Sequence, residues 1–447
     1  MNVPDVLRNR DFNLYWAGVV LSQIGTRGTV AANFYQVYQL TDSIAYTGLV
    51  GAAQALALLV LSPLGGALAD RVDRRRLLQT AQAVALLVAA ALAWLTLTDR
   101  AQAWHVVLSV VLTTAAATFD QPARQALIPA LVPKRQIAQA IALLNPSREL
   151  AILVGPLMAG VLIAVAGPGL MYVVDAASYG LLVAVLAVLR TPALQASAKR
   201  RSVFGSIVEG ARYIGHRPLI YNLMALDLSA TVFSAYRVLL PALAVDVLHV
   251  GATGYGVLSA APSAGALLAT YSVFRTVQRS QRQGRVLLVS TALYGVAALL
   301  LAHSPVFVLA VLAAGLLGAF DAMATTIRHA AVQIDTPDEL RGRVTAFYQM
   351  SSRGGPAIGD VVVGAFAGLV GPVVALTVGA FGPIVVAGSF WWRENVVRSY
   401  SGVVPAEEVD DHAAGPTPEV PADEQVDDHP ARSTPEVPAP QPATESG

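Results

Sequence analysis

The 447-residue chain contains no cysteine, which excludes disulfides, thiolate-bound zinc and thiol catalysis. Charge is also scarce: Asp, Glu, Lys and Arg make up 13% of the residues, against the roughly 25% usual in a soluble domain. No G-x-x-x-x-G-K-[ST] loop occurs, so the chain does not itself cradle ATP phosphates. H-E-x-x-H, C-x-x-C and G-x-S-x-G are equally absent, and the seven scattered histidines form no ligand set. No catalysis, cofactor, bound metal or nucleic-acid partner is expected, and energy, if used, has to come from an ion gradient. A cleavable leader is not expected either, because Met1 to Asp11 is polar and the first apolar run is too long for a signal core.

Apolar length is what the chain has instead. Hydrophobic residues make up 55% of it, its mean hydropathy is +0.56, and apolar runs of about 20 residues, enough to cross a hydrocarbon core of about 30 Å, recur throughout. The expected class is an all-α membrane protein with twelve transmembrane helices, at 14–38, 45–69, 77–98, 103–127, 137–166, 170–190, 218–244, 252–274, 285–303, 305–329, 340–369 and 372–392. Basic residues choose the orientation. Arg8 and Arg10 precede the first span, Arg71 and Arg74 to Arg76 follow the second, and Lys134 and Arg135 follow the fourth. Lys199, Arg200, Arg201, Arg212 and Arg217 follow the sixth, Arg275, Arg279, Arg282 and Arg285 the eighth, and Arg341 and Arg343 the tenth. The opposite loops carry only Arg100. This asymmetry puts both termini in the cytoplasm of a multi-pass inner-membrane protein.

The stretch GGALADRVDRRRLL, residues 65–78, packs six charges between two apolar runs. For Arg75 and Arg76 an anchoring role at the cytoplasmic surface is enough. Asp70 needs more, since it ends a helix with no other charge after Ala45, and it has two candidate partners: Arg74, or the positive N-terminus of another helix. The run from Gly66 through Asp70, Arg71, Asp73 and Arg74 to Leu77 resembles the signature between the second and third helices of the major facilitator superfamily. Asp73 stands where that family usually has a second glycine, as in the enterobactin-exporter-like branch. The resemblance implies that Gly66, Asp70 and Arg74 form a cytoplasmic latch against the start of the eleventh helix. Ala151 to Gly160 resembles the Gly-Pro antiporter motif of exporting members, with alanine at 151 and 159 in place of glycine. Gly155, Pro156 and Gly160 are candidate hinge residues, because proline in a helix frees a carbonyl and permits a bend.

An internal repeat accompanies these motifs. Phe119-Asp120 recurs as Phe320-Asp321, 201 positions on, while Pro133, Gly155 and Gly160 recur as Pro337, Gly359 and Gly364, 204 positions on. Two six-span halves, 1–190 and 218–394, are expected around a basic linker, 191–217, whose apolar residues at 203, 204, 207, 208, 211 and 214 suit a short interfacial helix. The tail, 395–447, repeats VDDHAAGPTPEVPA as VDDHPARSTPEVPA and is acidic and Pro-rich, a composition expected to stay unfolded, with His412 and His429 solvated beside Asp pairs.

Twelve charges fall inside the spans: Arg27, Asp120, Arg124, Arg148, Glu149, Asp175, Asp227, Arg237, Asp321, Arg328, Arg353 and Asp360. A charge at bilayer depth costs about 2.5–3.5 kcal/mol on insertion scales, so each is either half of an interior ion pair or part of transport chemistry. Arg124 and Arg328 are placed near cytoplasmic ends, where they snorkel. Asp120 and Arg148 lie at matching depth on consecutive antiparallel spans and are expected to pair, with Asp321 and Arg353 repeating the pair. These four, with Glu149 and Asp360, form the candidate proton and charge relay. Arg27, Asn33, Tyr35, Gln36, Asp175 and Asp227 are candidate cavity residues, though the tyrosines suit an interfacial belt equally well. Asp175, Asp227 and Asp360 are also read as able to carry a proton. The resemblance implies a monomeric secondary transporter that exports a small organic molecule, a siderophore or an amphipathic drug, against inward protons across the lipid bilayer. Solute uptake, facilitated diffusion and a non-transporting receptor or scaffold are the alternatives.

Overall fold

Each long helix starts and stops on residues suited to the task. Asn9 caps the first, α1 (Arg10–Thr41): its Oδ1 accepts from the Asp11 and Phe12 amides at 3.0 and 3.2 Å. Asp73 caps α3 (Arg74–Leu97) by accepting from the Arg76 amide at 2.9 Å. Arg75, expected only as a membrane-surface anchor, donates to the Leu186 and Ala187 carbonyls at 2.6 and 2.7 Å and so closes the end of α6. The remaining long helices are α2 (Ile44–Ala69), α4 (Ala103–Leu131), α5 (Ile137–Ala166), α6 (Pro168–Val188), α7 (Pro218–Phe233), α8 (Gly251–Arg279), α9 (Gln283–Ala302), α10 (Phe307–Ile334), α11 (Asp338–Val370) and α12 (Pro372–Trp392). After α7 the helix breaks at Ser234–Ala235 and the chain continues through an irregular series of helical turns, Tyr236 to Val247. This computed structural model describes residues 5–69, 73–189, 211–393 and 396–402, without the side chains of 59, 62–69, 126, 346 and 353.

Among the described residues, ten helical stretches are long and apolar enough to cross a membrane, and Ile44–Leu58 of α2 is a shorter apolar stretch. Helix α1 is outside that set: it dilutes its apolar residues with Arg27 and five amides, Asn13, Gln23, Asn33, Gln36 and Gln39.

The repeat reappears as backbone. Gly167 and Gly371, 204 positions apart, end α5 and α11 with φ of +76° and +84°, and each is followed by a proline opening the next helix. Pro133 and Pro337 precede the corresponding helical starts with φ, ψ of −58°, 149° and −57°, 150°.

One end of the bundle carries Arg74 to Arg76, Lys134, Arg135, Arg279, Arg285 and Arg341, and is called here the basic face; the other carries the short turns at 42–43, 98–102 and 371 and is called the tight-turn face. Helices α1 to α6 pack on one another, as do α7 to α12, and the two sets meet mainly along the α2–α11 and α5–α8 seams. In the tight-turn half a single apolar core draws on both sets, from Ala31 to Tyr38 through Tyr255, Leu258 and Leu317. Toward the basic face the core splits, one cluster around Phe12, Leu78, Leu127 and Leu182, the other around Ile220, Leu287, Ile327 and Tyr348.

Glycine makes both seams possible. A Cβ on Gly160 would lie 2.7 Å from the Gly256 Cα, and one on Gly364 would lie 2.7 Å from the Gly48 Cα. Gly160 and Gly364 are 204 positions apart and Gly48 and Gly256 are 208, so the two contacts are close to equivalent under the repeat. The expected linker helix and the repeated tail lie outside the described residues, apart from 211–215 and 396–402.

Candidate functional site

Between the two split cores lies a cavity of about 500 Å³, bordered by Glu149 of α5 and, from the second set, by Tyr236, Pro262, Leu267, Tyr294, Leu317 and Asp321 among others. Glu149 sits twelve residues into α5, about 18 Å from its basic-face start at helical rise. The cavity is thus at mid-depth, and the shared core closes the path from it to the tight-turn face.

The second set buries a three-charge cluster against it. Arg328 of α10 places Nη2 2.8 Å from Asp227 Oδ1 of α7 and 3.6 Å from Asp321 Oδ1. Arg328 also donates to Thr325 Oγ1 at 2.8 Å, and Thr325 donates on to Asp321 at 3.2 Å. The Arg328 and Asp227 side chains are 1% and 3% accessible, whereas that of Asp321 is 50% accessible and faces the cavity. Two carboxylates share one guanidinium. Arg328 therefore does not snorkel, contrary to expectation: α10 continues past it to Ile334, and Asp227 supplies its counter-charge in the interior.

The first set is balanced. Arg124 Nε lies 2.5 Å from Asp120 Oδ2 one turn away on α4. Gln82 of α3 donates to Asp120 Oδ1 at 2.6 Å, Ser22 of α1 donates to Gln82 at 3.3 Å, and Arg124 donates to Ser22 at 3.3 Å, closing the loop. The expected Asp120–Arg148 pair does not form. Helix α4 scarcely touches α5, and Arg148 bonds instead to its neighbour Glu149 at 3.2 Å, both about half exposed. Arg124 likewise faces the interior rather than the surface. Asp321 pairs toward Arg328; the Arg353 side chain is outside the described residues, so the repeated pair has one member without a described position.

Asp360 sits on the α2–α11 seam, where a Cβ on Gly51 would lie 2.3 Å from its own Cβ. It accepts from Arg237 at 2.8 Å. Asp175 is fully buried between α6 and α1, bonded by Ser178, with Oδ2 unpartnered. Of the residues expected in a cavity, Asn33, Tyr35, Gln36, Asp175 and Asp227 are buried and do not border the one described. Tyr35 stacks against Tyr255 at 5.3 Å, and Gln36 bonds Tyr172 at 2.7 Å and Thr96 at 3.0 Å. They belong to the closed tight-turn core, because the outer half of α1 is where the two sets meet. Arg27 differs. It is exposed within the bundle at the middle of α1, in the field of Arg148, Glu149 and Arg237.

Three hydrogen bonds fasten the sets near the tight-turn face: Tyr38 donates to Asp246, Thr47 to the Val238 carbonyl at 3.0 Å, and Tyr255 to the Ala31 carbonyl at 2.9 Å. The hinge candidates lie on contacts. A Cβ on Gly155 would meet the Arg27 Cβ at 2.6 Å, and Gly160 meets Gly256 across the seam. Of the latch candidates, Gly66 lies in the last turns of α2, Arg74 opens α3, and Asp70 is outside the described residues. Sequence reasoning misses Gln82, Tyr236, Tyr294, Asp246 and the glycines at 48, 51 and 256; the readable signal is the four-residue spacing of small residues at Gly48–Ala52 and Ala252–Gly256, that of a close helix crossing.

Residues 4–426 match the family described as transmembrane secretion effectors. The enterobactin exporter EntS of Citrobacter koseri is 28% identical over 352 residues, spanning 78% of this chain and 84% of that protein. EntS of Salmonella typhimurium is 28% identical over 356 residues, with the same shares covered. Among solved structures, the nucleoside transporter NupG superposes with a TM-score of 0.68 at 16% identity, covering 86% of this chain and 98% of that one. A bacterial homologue of the human lysosomal transporter Spinster gives 0.63 at 16% identity, covering 88% and 99%. An all-helical bundle around a mid-depth cavity, with no catalytic set recognised in its sequence, fits these likenesses. The chain belongs to the transmembrane secretion effector family of major facilitator transporters, and is a multi-pass inner-membrane transport protein rather than an enzyme.

Proposed function

We propose that the protein is a proton-coupled exporter of a small organic molecule, working as a monomer by alternating access. All twelve long helices span the bilayer in this reading, with the basic face and both termini in the cytoplasm. Residues 1–190 and 218–394 form the two rocking halves, 191–217 the linker, and 395–447 an unfolded tail. The observation that carries the reading is the split core: one apolar core closes the tight-turn end, two separate cores flank the cavity, and closing the gap between them while opening the seal moves the cavity from one side to the other. Gly155 and Gly160 pack α5 closely against α1 and α8 and, with Pro156, serve as the hinge, while Gly66, Asp70 and Arg74 latch the basic face in the opposite state. The surplus carboxylate of the Asp227–Arg328–Asp321 cluster supports proton coupling, with the cavity-facing Asp321 as the group that takes the proton. The 28% identity to enterobactin exporters supports a siderophore-like or amphipathic cargo.

A metabolite comparison of deletion and parent cells under iron limitation tests this. A compound retained in the deletion cells and released on complementation is expected. Identical internal and external profiles in the two strains contradict it.

A further inference from the structure

We propose that Arg27 anchors an acidic group of the cargo, so that the transported class is an organic anion with an apolar or aromatic body; this rests on the transport reading above. Arg27 lies in the field of both Arg148 and Arg237. Arg148 is held by Glu149 and Arg237 by Asp360. Arg27 has no hydrogen bond or ion pair among the described residues. These five groups therefore leave one positive charge over, on an open side chain at mid-depth. An unpaired charge at that depth is costly, and such residues characteristically face a water-filled path and meet a partner there.

The placement of Arg27 is built in. Gly155 comes so close that any Cβ there would meet the Arg27 Cβ at 2.6 Å and the Gly28 amide nitrogen at 2.8 Å. The glycine thus sets α1 against α5 and fixes where the arginine leaves the helix. A planar guanidinium with its donors free suits a carboxylate, sulfonate or paired phenolate in two-pronged fashion. The body of such a molecule finds Tyr236, Tyr294, Leu267 and Leu317 in the cavity that Glu149, whose charge Arg27 senses, also borders. The acids nearby do not compete for Arg27: Glu149 is held by Arg148, and Asp321 by Arg328 and Thr325.

The test uses the full-length protein in lipid nanodiscs and three probes of one shape: 2-naphthalenesulfonate, 2-naphthylmethylammonium and 2-naphthalenemethanol. Equilibrium dialysis should show the sulfonate binding about tenfold or more tighter than the ammonium, the size expected of a charge-assisted contact. Arg27→Gln should remove that preference and leave the alcohol unchanged. Arg27→Lys, keeping the charge but not the fork, should fall between. Size-exclusion profiles confirm that each variant is folded. Equal binding of the three probes, a preference for the ammonium, unchanged sulfonate binding in Arg27→Gln, or no binding of any probe overturns the inference. Arg27-dependent sulfonate binding without a retained metabolite in deletion cells sinks the export reading alone. A retained metabolite without charge preference sinks the anion anchor alone.

Discussion

The charge clusters of the two helix sets start from the same repeated Phe-Asp and end differently. In the first set Asp120 meets Arg124, one acid to one base, within a closed loop of Gln82 and Ser22. In the second, Asp321 finds Thr325 at the position matching Arg124, and the guanidinium has moved to Arg328, which matches Leu127. A second acid then arrives from α7: Asp227 has no acidic counterpart on α1, where the residues 201 and 204 positions earlier are Thr26 and Gln23. A balanced, internally bonded pair has no need of a proton and serves packing. A two-to-one cluster with one acid open to the cavity has a place for one. On the function proposed above, the pseudo-symmetric scaffold carries a structural copy and a proton-carrying copy of the same element.

Removing the bases separates the copies most sharply. Arg328→Met leaves Asp227 buried without a counter-charge, at a cost of about 3–5 kcal/mol, and folded protein should disappear from size-exclusion profiles; adding Asp227→Asn should restore it. Arg124→Met should cost less, about 1–3 kcal/mol by thermal melting, because Gln82 still donates to Asp120. Next comes the seal that both copies face. Gly160→Val pushes a side chain into the Gly256 backbone and should favour opening of the tight-turn face. A single cysteine introduced at Asn33, buried in the seal, in a chain that otherwise has none, should label faster in that variant, and equal rates would show that the seam does not control access. Tyr38→Phe removes one hydrogen bond from the same seal, worth about 0.5–1.5 kcal/mol, and should raise the labelling rate only a few-fold. Exchanging the charges of Asp120 and Arg148 should give additive losses rather than rescue, since the two do not meet.

Much of the scaffold was legible before any coordinates. Apolar length marked the helices, and the 204-residue offset of Gly155 and Gly160 foreshadowed the matching glycine seams. Partner choice was not legible. Depth and sequence adjacency put Asp120 beside Arg148, but α4 and α5 scarcely touch, and a same-helix arginine one turn away from Asp120 is in reach. Arg328 was read as a snorkelling residue because distance from a helix end says nothing of Asp227 on another helix. The amides and tyrosines of outer α1 were read as cavity-lining when they are buried in the seal, a distinction that depends on which end of the bundle is closed. The sequence marks Arg27 as a charge within the first span, but its lack of a partner among the described residues emerges only with the neighbouring arginines paired.

The central claim is that the surplus carboxylate at Asp321 couples transport to protons, and gradient-driven uptake in everted membrane vesicles tests it most directly. The cargo is the compound retained by deletion cells, and nigericin collapses the pH gradient. Wild-type vesicles should accumulate the compound only while the gradient stands. Asp321→Asn vesicles should equilibrate it without accumulation, indifferent to nigericin, while membrane levels of the protein stay normal. Full nigericin-sensitive accumulation by Asp321→Asn would contradict the account.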